Sequence, residues 1–326
     1  MKQALIEACN KYSICFDKVN AILQSQHHFI GSYLKNEEQF ILRLTNESHR
    51  SFEMIKAEIE WIQYLFQKGI SVSCPIPSQS GNFIEKIELE NGYVTAVSFI
   101  KADGNSLTEE ELYHNDDLIY EMGRFMGKMH AATKGYSPKS NDAKRPQWFE
   151  EAENVTSISL PESETEIIQE YNRLNQLLSK IPISLETYGL VHMDFHYNNL
   201  FFDGKKFTIF DFDACRYSWF VNDIAVALFY AIPFHLNFDD RRVFGKQFIK
   251  KFLEGYRKKN HLNNEWIEYI PTFARHREIG RYIKIYHSCG GNLELLSGWT
   301  KDFMHDRKMQ IVENTPIVDF DNLIIE

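Results

Sequence analysis

Between Leu190 and Asp213 the chain reads LVHMDFHYNNLFFDGKKFTIFDFD. Four side chains there carry the groups that handle protons and hard metal ions: Asp194, Asn199, Asp211 and Asp213. Two apolar runs, Leu200–Phe202 and Phe207–Phe210, flank the polar Asp203-Gly204-Lys205-Lys206, which is the signature of a hairpin. Pairing the runs symmetrically about Lys205 sets Leu200 opposite Phe210 and Asn199 opposite Asp211. An amide oxygen beside a carboxylate suits Mg2+, which keeps waters and nucleotide phosphates as its other ligands. Asp194 precedes Asn199 in the loop that enters the hairpin. A carboxylate there can accept the proton of a hydroxyl attacking a terminal phosphate. Phosphoryl transfer asks mainly for positioning and charge neutralisation, so three such residues can supply its local needs.

Other readings share parts of this pattern. Asp-Phe-Asp alone also fits a solvated turn, or the Asp-x-Asp of many glycosyltransferases. His192-x-Asp194-x-His196 on one strand face fits a zinc site, because side chains at i and i+2 point the same way. The whole order separates them: His-x-Asp, four residues, Asn, a hairpin, then Asp-Phe-Asp. In that order the stretch resembles the catalytic and metal-binding segments of the aminoglycoside phosphotransferase and choline kinase superfamily, which includes a bacterial phosphotransferase enzyme family. The usual form there is His-Gly-Asp-x-x-x-x-Asn followed by Asp-Phe-Asp or Asp-Phe-Glu. The resemblance implies a protein-kinase-like fold, ATP and Mg2+ as cofactors, Asp194 as catalytic base, and Asn199 and Asp211 as metal ligands. It gives His192 the task of holding the loop. Met193 stands where glycine or asparagine is common. Asp213 either assists the metal or caps a turn. Asp223, in Phe220-Val221-Asn222-Asp223-Ile224-Ala225, matches an aspartate that the family has at a helix start. A carboxylate in a first helical turn also complements the helix dipole and its free amides, so Asp223 is expected to be structural.

These residues need elements to position them. Strand patterns occur in Val19–Leu23, Phe29–Leu34 and Gln39–Leu44, with a turn at Asn36-Glu37-Glu38. Ile55, Ile59, Ile62, Leu65 and Phe66 recur at helical spacing up to Gly69. Asn82–Glu88 and Tyr93–Ile100 form a second strand pair around Asn91-Gly92. Glu58 falls on the apolar face of the helix, where a charge is costly unless paired. The superfamily has a strand Lys or Arg followed by a helix Glu at this separation, so the resemblance pairs Arg43 with Glu58 beside the ATP phosphates. Arginine binds carboxylate and phosphate bidentately. The resemblance also puts a phosphate-covering loop at residues 24–28, which has no glycine. It puts the adenine at a hinge, bonded to the backbone of Ser98 and Ile100. Met129-His130 resembles the end of a family helix and reads as core packing. The likeness runs from about Val19 to Leu228.

Beyond Gly104 the pattern turns helical. Leu118, Met122, Phe125, Met126 and Met129 make one stripe; Ile167, Ile168, Tyr171, Leu174 and Leu178 make another. Residues 133–161 read as a long loop with short helical pieces. The fold class expected is α+β: a bilobal protein-kinase-like fold with a small β-rich N-terminal nucleotide-binding lobe, 1–101, and a larger, mainly helical catalytic and substrate-binding lobe, 102–326. The chain has 326 residues, 44% hydrophobic and 25% charged, with net charge −9. That is ordinary globular usage, with no basic run for nucleic acid. No apolar run approaches the ~18 residues of a membrane span. Five scattered cysteines fit a reducing compartment, so a cytoplasmic protein is expected. The acceptor expected is a small-molecule hydroxyl, aminoglycoside-, choline- or homoserine-like. A Ser/Thr protein kinase on the same fold is the alternative; a non-catalytic nucleotide-binding regulator is disfavoured because Asp194, Asn199 and Asp211 are all present. Arg277, Arg281 and Lys284 share one helix face. They form either a solvated basic face or a cationic wall for a carboxylate or phosphate. The sequence does not show the acceptor's identity or the oligomeric state.

Overall fold

The structure is a computed structural model that describes residues 1–25, 28–139, 144–318 and 320. Gln26 and His27 of the expected phosphate-covering loop lie outside the described residues. The chain divides into two compact units. One comprises residues 1–105, 135–145 and 200–213; the other comprises 106–134, 146–199 and 214–326.

The first unit is built on a sheet of β1 (Asn20–Gln24), β2 (His28–Lys35), β3 (Glu38–Asn46), β4 (Pro75–Ile76), β5 (Glu85–Leu89) and β6 (Gly92–Ile100). Its order is β1-β2-β3-β6-β4, with β5 also on β6. The first hairpin turns on two residues, Asn36 and Glu37, both at positive φ (52° and 68°), and pairs Lys35 with Glu38. This is the backbone that matches strand twist, and asparagine tolerates it. The second turn is Glu90-Asn91, because Leu89 pairs with Gly92. Helix α2 (Phe52–Gln67) starts where the Ser51 hydroxyl accepts the Met54 N–H at 3.2 Å. Ile55, Ile59, Ile62 and Leu65 are buried as expected, but Phe66 is exposed. The sequence reading missed α1 (Lys2–Tyr12). Its Ala4, Leu5, Ala8, Cys9 and Tyr12 recur at helical spacing and pack with Leu42, Ile87 and Ala96 of the sheet. The short strands β9 (Leu200–Phe202) and β10 (Phe207–Ile209) also belong here, and Ile209 bonds to Ser71 and Ser73. Strand β7 (Asn105–Ser106) lies where the chain passes from this unit to the next.

The second unit is mainly helical: α3 (Glu109–Tyr113), α4 (Asp116–Thr133), α5 (Trp148–Thr156), α6 (Thr165–Leu178), α7 (Phe220–Ala231), α8 (Phe238–Arg257), α9 (Asn264–Ile267), α10 (Ile270–Ser288), α11 (Gly298–Met304) and α12 (Arg307–Val312). Helix α5 interrupts the expected long loop. Strand β8 (Tyr188–Val191) pairs antiparallel with β11 (Arg216–Trp219). On α4 the buried stripe is Ile119, Met122, Met126 and Met129. Glycines set how closely α4 meets α8: a Cβ on Gly123 would lie 1.9 Å from the Phe252 carbonyl oxygen, and one on Gly255 would lie 1.9 Å from that of Tyr120. All residues of α7 are buried, so this helix is a central post of the unit.

Candidate active site

The loop after β8 is held from beneath by α7. Asp223 is fully buried. Its Oδ2 accepts the His192 N–H at 3.0 Å and its Oδ1 accepts the Met193 N–H at 2.7 Å. His130 Nε2 stands 3.1 Å from the same Oδ2. Burial raises the Asp223 pKa, but the His130 contacts and the loop amides outweigh it and the net shift is downward. Asp223 thus binds the loop's amides, where the sequence suggested those of its own helix. His130 is more than core packing. Its Nδ1 lies 3.0 Å from the Tyr256 hydroxyl, which accepts from Asn260 at 2.8 Å. A chain of polar groups thus runs from α8 through α4 and α7 to the loop.

The loop's shape depends on this support. Met193 adopts φ 63°, a left-handed conformation that costs a non-glycine residue about 1–2 kcal/mol. This explains why glycine and asparagine are common at this position. The His192 side chain is buried and its Nδ1 accepts the Asp194 N–H at 3.3 Å. His192, Asp194 and His196 all lie in the loop between β8 and a 3-10 turn at Tyr197–Asn199, not on a strand, so the geometry assumed for a zinc site there is not met.

Asp194 is ringed by donors. Arg277 Nη2 donates to its Oδ1 at 3.0 Å; the Asn199 amide nitrogen donates to its Oδ2 at 3.1 Å and to its carbonyl at 3.0 Å. His196 Nε2 lies 3.3 Å from Oδ2. Burial raises the Asp194 pKa, but His196 and the Arg277 charge bring it well below the usual carboxylate range. The Asn199 NH2 group is turned onto the loop. Arg277 also donates to the Tyr230 hydroxyl at 2.6 Å. Arg277 and Arg281 are half-buried, and the Lys284 side chain is 41% exposed. With Trp148, Glu151 and Met193 they line a cavity of about 60 Å3.

The first unit holds the other group of predicted residues. In the hairpin, Leu200 pairs with Ile209 and Phe202 with Phe207. The expected register, Leu200 opposite Phe210, is therefore one residue off, and with it the derived pairing of Asn199 with Asp211. The turn causes this. Asp203 Oδ1 accepts the N–H groups of Lys205 and Lys206, both at 2.9 Å, which centres the turn between Gly204 and Lys205. Asp211 follows at φ 62°. It lines a largely apolar cleft of about 270 Å3 together with Ile30, Ile41, Ile62, Phe99 and Phe210. Arg43 and Glu58 stand in the same cleft as a bidentate pair at 2.8 and 2.9 Å. Glu58 is fully buried, and Arg43 lies over the Phe99 ring at 5.2 Å. Ser98 does not face the cleft: its hydroxyl is buried against that of Tyr33 at 2.7 Å. The Ile100 N–H is bonded to the Cys74 carbonyl. Phe99, Lys101 and Ala102 line the cleft instead.

Asp213 is held by cations. His49 Nε2 and Arg50 Nη2 each lie 3.1 Å from its Oδ2, and Arg145 bonds its carbonyl. Burial raises its pKa, but these partners bring it down further. His28, His49 and Asp213 bring ligand atoms within 4.8 Å of one another, but Arg50 on the same carboxylate oxygen opposes a cation there. Sequence reasoning missed Arg277 and Tyr230 as neighbours of Asp194, and His49, Arg50 and Arg145 as partners of Asp213. All are distant in sequence and carry no local pattern.

Among the described residues no helix is long and apolar enough to cross a membrane. Residues 31–259 match the phosphotransferase enzyme family. The amicoumacin kinase of Bacillus subtilis (strain 168) is 32% identical over 323 residues, spanning 98% of this chain and 94% of that protein. A solved amicoumacin kinase, in complex with AMP-PNP, Ca2+ and Ami, superposes with a TM-score of 0.89 at 31% identity, covering 98% and 95% of the two chains. A microcompartment-associated aminopropanol kinase shares the fold, with a TM-score of 0.74 at 18% identity over 94% and 95%. With its β-rich N-terminal part, its helical C-terminal part and this match, the chain belongs to the phosphotransferase enzyme family and is an ATP-dependent phosphotransferase acting on an alcohol group.

Proposed function

We propose that the chain transfers the γ-phosphoryl group of ATP, bound with Mg2+, to a hydroxyl of a small-molecule acceptor, with Asp194 as catalytic base. The setting of Asp194 carries this reading: an ionised carboxylate in a strained loop, fixed by Arg277, His196 and Asn199. A carboxylate offers about four acceptor sites, and these three donors leave room for an acceptor hydroxyl. Asp194 would orient that hydroxyl and take its proton as the new O–P bond forms. With so low a pKa it is a weak base, which suits a reaction governed by positioning and charge rather than early proton removal.

Asn199 and Asp211 are proposed as the ligands of Mg2+; a carbonyl oxygen and a carboxylate are the hard donors it prefers. Bound there, the metal would neutralise charge developing on the transferring phosphoryl group. Arg43, fixed by Glu58, would pair with nucleotide phosphates. The apolar cleft between the isoleucines and Phe99 would take the adenine, with its edge on the backbone near Ala102. His192 and Asp223 would hold the loop. On this reading residues 1–101 form the nucleotide-binding lobe and 102–326 the catalytic and substrate-binding lobe. The five free cysteines suit a reducing cytoplasm.

Amicoumacin, the acceptor named for the relative at 32% identity, is the first compound to try. Homoserine, aminopropanol, choline and aminoglycosides follow in an ADP-release panel. ATP with Mg2+ should raise the melting temperature, because a ligand that binds only the folded state stabilises it. The absence of any shift at millimolar ATP would sink the proposal.

A further inference from the structure

The cavity beside Asp194 carries more positive charge than its own residues neutralise. Arg216, Arg277, Arg281 and Lys284 line it, with Glu151 as the one acidic lining residue among the described residues. Glu151 bonds Lys284 and lies 3.7 Å from Arg216, while Arg277 is shared with Asp194. Arg281 has no carboxylate partner among the described residues, so its charge is the one left over. His276 adds no charge: burial, then Arg216, Arg277 and Lys284, push its pKa down to about 3. The Lys284 pKa is also lowered, by burial first, despite its bond to Glu151. Two guanidinium donors, Nε of Arg277 and Nε of Arg281, are buried with no hydrogen-bond partner. Unmade bonds of this kind are costly, and unbalanced charge withdrawn from water is costlier.

We infer that this cavity binds an oxyanion, so that the acceptor is a hydroxy compound bearing a carboxylate or phosphate group. The inference rests on the phosphotransferase reading and deepens it. The volume, about 60 Å3, is room for roughly four waters: space for one compact anionic group rather than a whole acceptor. Arg277 touches both the cavity and Asp194. An anion seated there therefore sets an attached hydroxyl towards the base. The anion supplies the missing acceptors for the two Nε groups and neutralises the excess charge. A polycationic acceptor is repelled from the same place.

The test is a calorimetric titration of the full chain with inorganic phosphate, 3-hydroxypropionate, 3-hydroxypropionamide and choline. It is run with and without saturating AMP-PNP and Mg2+, so that the nucleotide phosphates occupy their own site in one arm. Wild type should bind the two anions, and bind the amide and choline at least about tenfold more weakly. Arg281→Gln and Lys284→Met should each weaken anion binding by about tenfold, the size of one charge-assisted hydrogen bond. Arg281→Lys should restore part of it, which a purely structural role would not. Phosphate preferred over 3-hydroxypropionate assigns a phosphorylated acceptor; the reverse assigns a hydroxy acid. Equal binding of acid and amide, tighter binding of choline, or unchanged affinity in both variants overturns the inference. Failure of AMP-PNP to bind would count against the kinase reading, while the nucleotide-free arm still decides the anion site.

Discussion

Asp223→Asn is the perturbation that reaches furthest into the proposed chemistry without touching a reacting group. The wild-type carboxylate accepts the N–H groups of His192 and Met193 through different oxygens and also meets His130. An asparagine keeps one acceptor oxygen and turns an NH2 group towards one of the two loop amides. One charge-assisted bond is lost, at about 1.5–3 kcal/mol, and a buried N–H is left facing a donor, at about 1–3 kcal/mol. Together these give about 3–5 kcal/mol against the native loop. Met193 needs about 1–2 kcal/mol of holding in its left-handed conformation, so the loop is the part that yields, and it moves Asp194. Turnover should fall by about a hundredfold or more, since 1.36 kcal/mol is tenfold. Stabilisation by ATP alone should be largely kept, because Arg43 and Glu58 belong to the other unit, while the part due to Mg2+ should weaken as Asn199 moves with Asp194. Adding Met193→Gly should recover part of the loss, as glycine adopts that backbone freely. Urea melts and ADP release with the acceptor found by the panel are the measurements. Turnover of Asp223→Asn within about threefold of wild type would refute the reasoning.

Glu58→Gln leaves the buried Arg43 charge without its bidentate partner and should destabilise by about 3–5 kcal/mol in a urea melt; Arg43→Met with Glu58→Leu should be closer to wild type in stability while losing the response to ATP. Asp194→Asn should keep the ATP-dependent rise in melting temperature and lose turnover by about a hundredfold to ten-thousandfold. Asp211→Ala should instead lose the magnesium-dependent part of that rise. His276 is held neutral, its pKa lowered from 6.5 to about 3. Between those values the unfolded chain binds a proton that the folded chain does not, so stability falls as pH drops from 6.5 towards 3. His276→Gln should flatten that part of the pH profile of the urea midpoint, and an unchanged slope would exclude His276 as its source.

Legibility followed sequence distance. The loop and hairpin residues from His192 to Asp211 lie in one short stretch, so residue type and spacing announced them together. The pairing of Arg43 with Glu58 came from the family resemblance; helical spacing alone leaves Glu58 equally able to reach solvent from the helix edge. The hairpin register was lost by one residue because it depends on side-chain bonds of Asp203 within the turn, which spacing alone does not weigh. Arg277 is 83 residues from Asp194, and nothing local distinguishes it from a solvated helix arginine. His130 sits in a methionine-rich stripe that reads as packing. Its partners on α7 and α8 emerge only when the helices are assembled. Helix α1 was missed although Ala4, Leu5, Ala8 and Tyr12 recur at helical spacing, because polar residues between them keep the segment from standing out as an apolar run.

On the proposed role of Asp194 as base, the same long-range contacts surround it with donors that weaken its hold on a proton. A carboxylate tuned to abstract protons near neutrality would be buried with few donors, which raises its pKa. Here burial acts in that direction, but His196 and Arg277 reverse it. The arrangement spends its polar contacts on where the carboxylate is rather than on how strongly it binds a proton. Asp223 acts alike one layer deeper: burial raises its pKa, but His130 first, and the Met193 N–H after it, bring it down while the carboxylate fixes the backbone of His192 and Met193. In a loose phosphoryl-transfer transition state little proton transfer precedes bond formation. A base that is always ionised and rigidly placed then contributes more than a stronger one that wanders, and the strain carried at Met193 becomes intelligible as part of that placement.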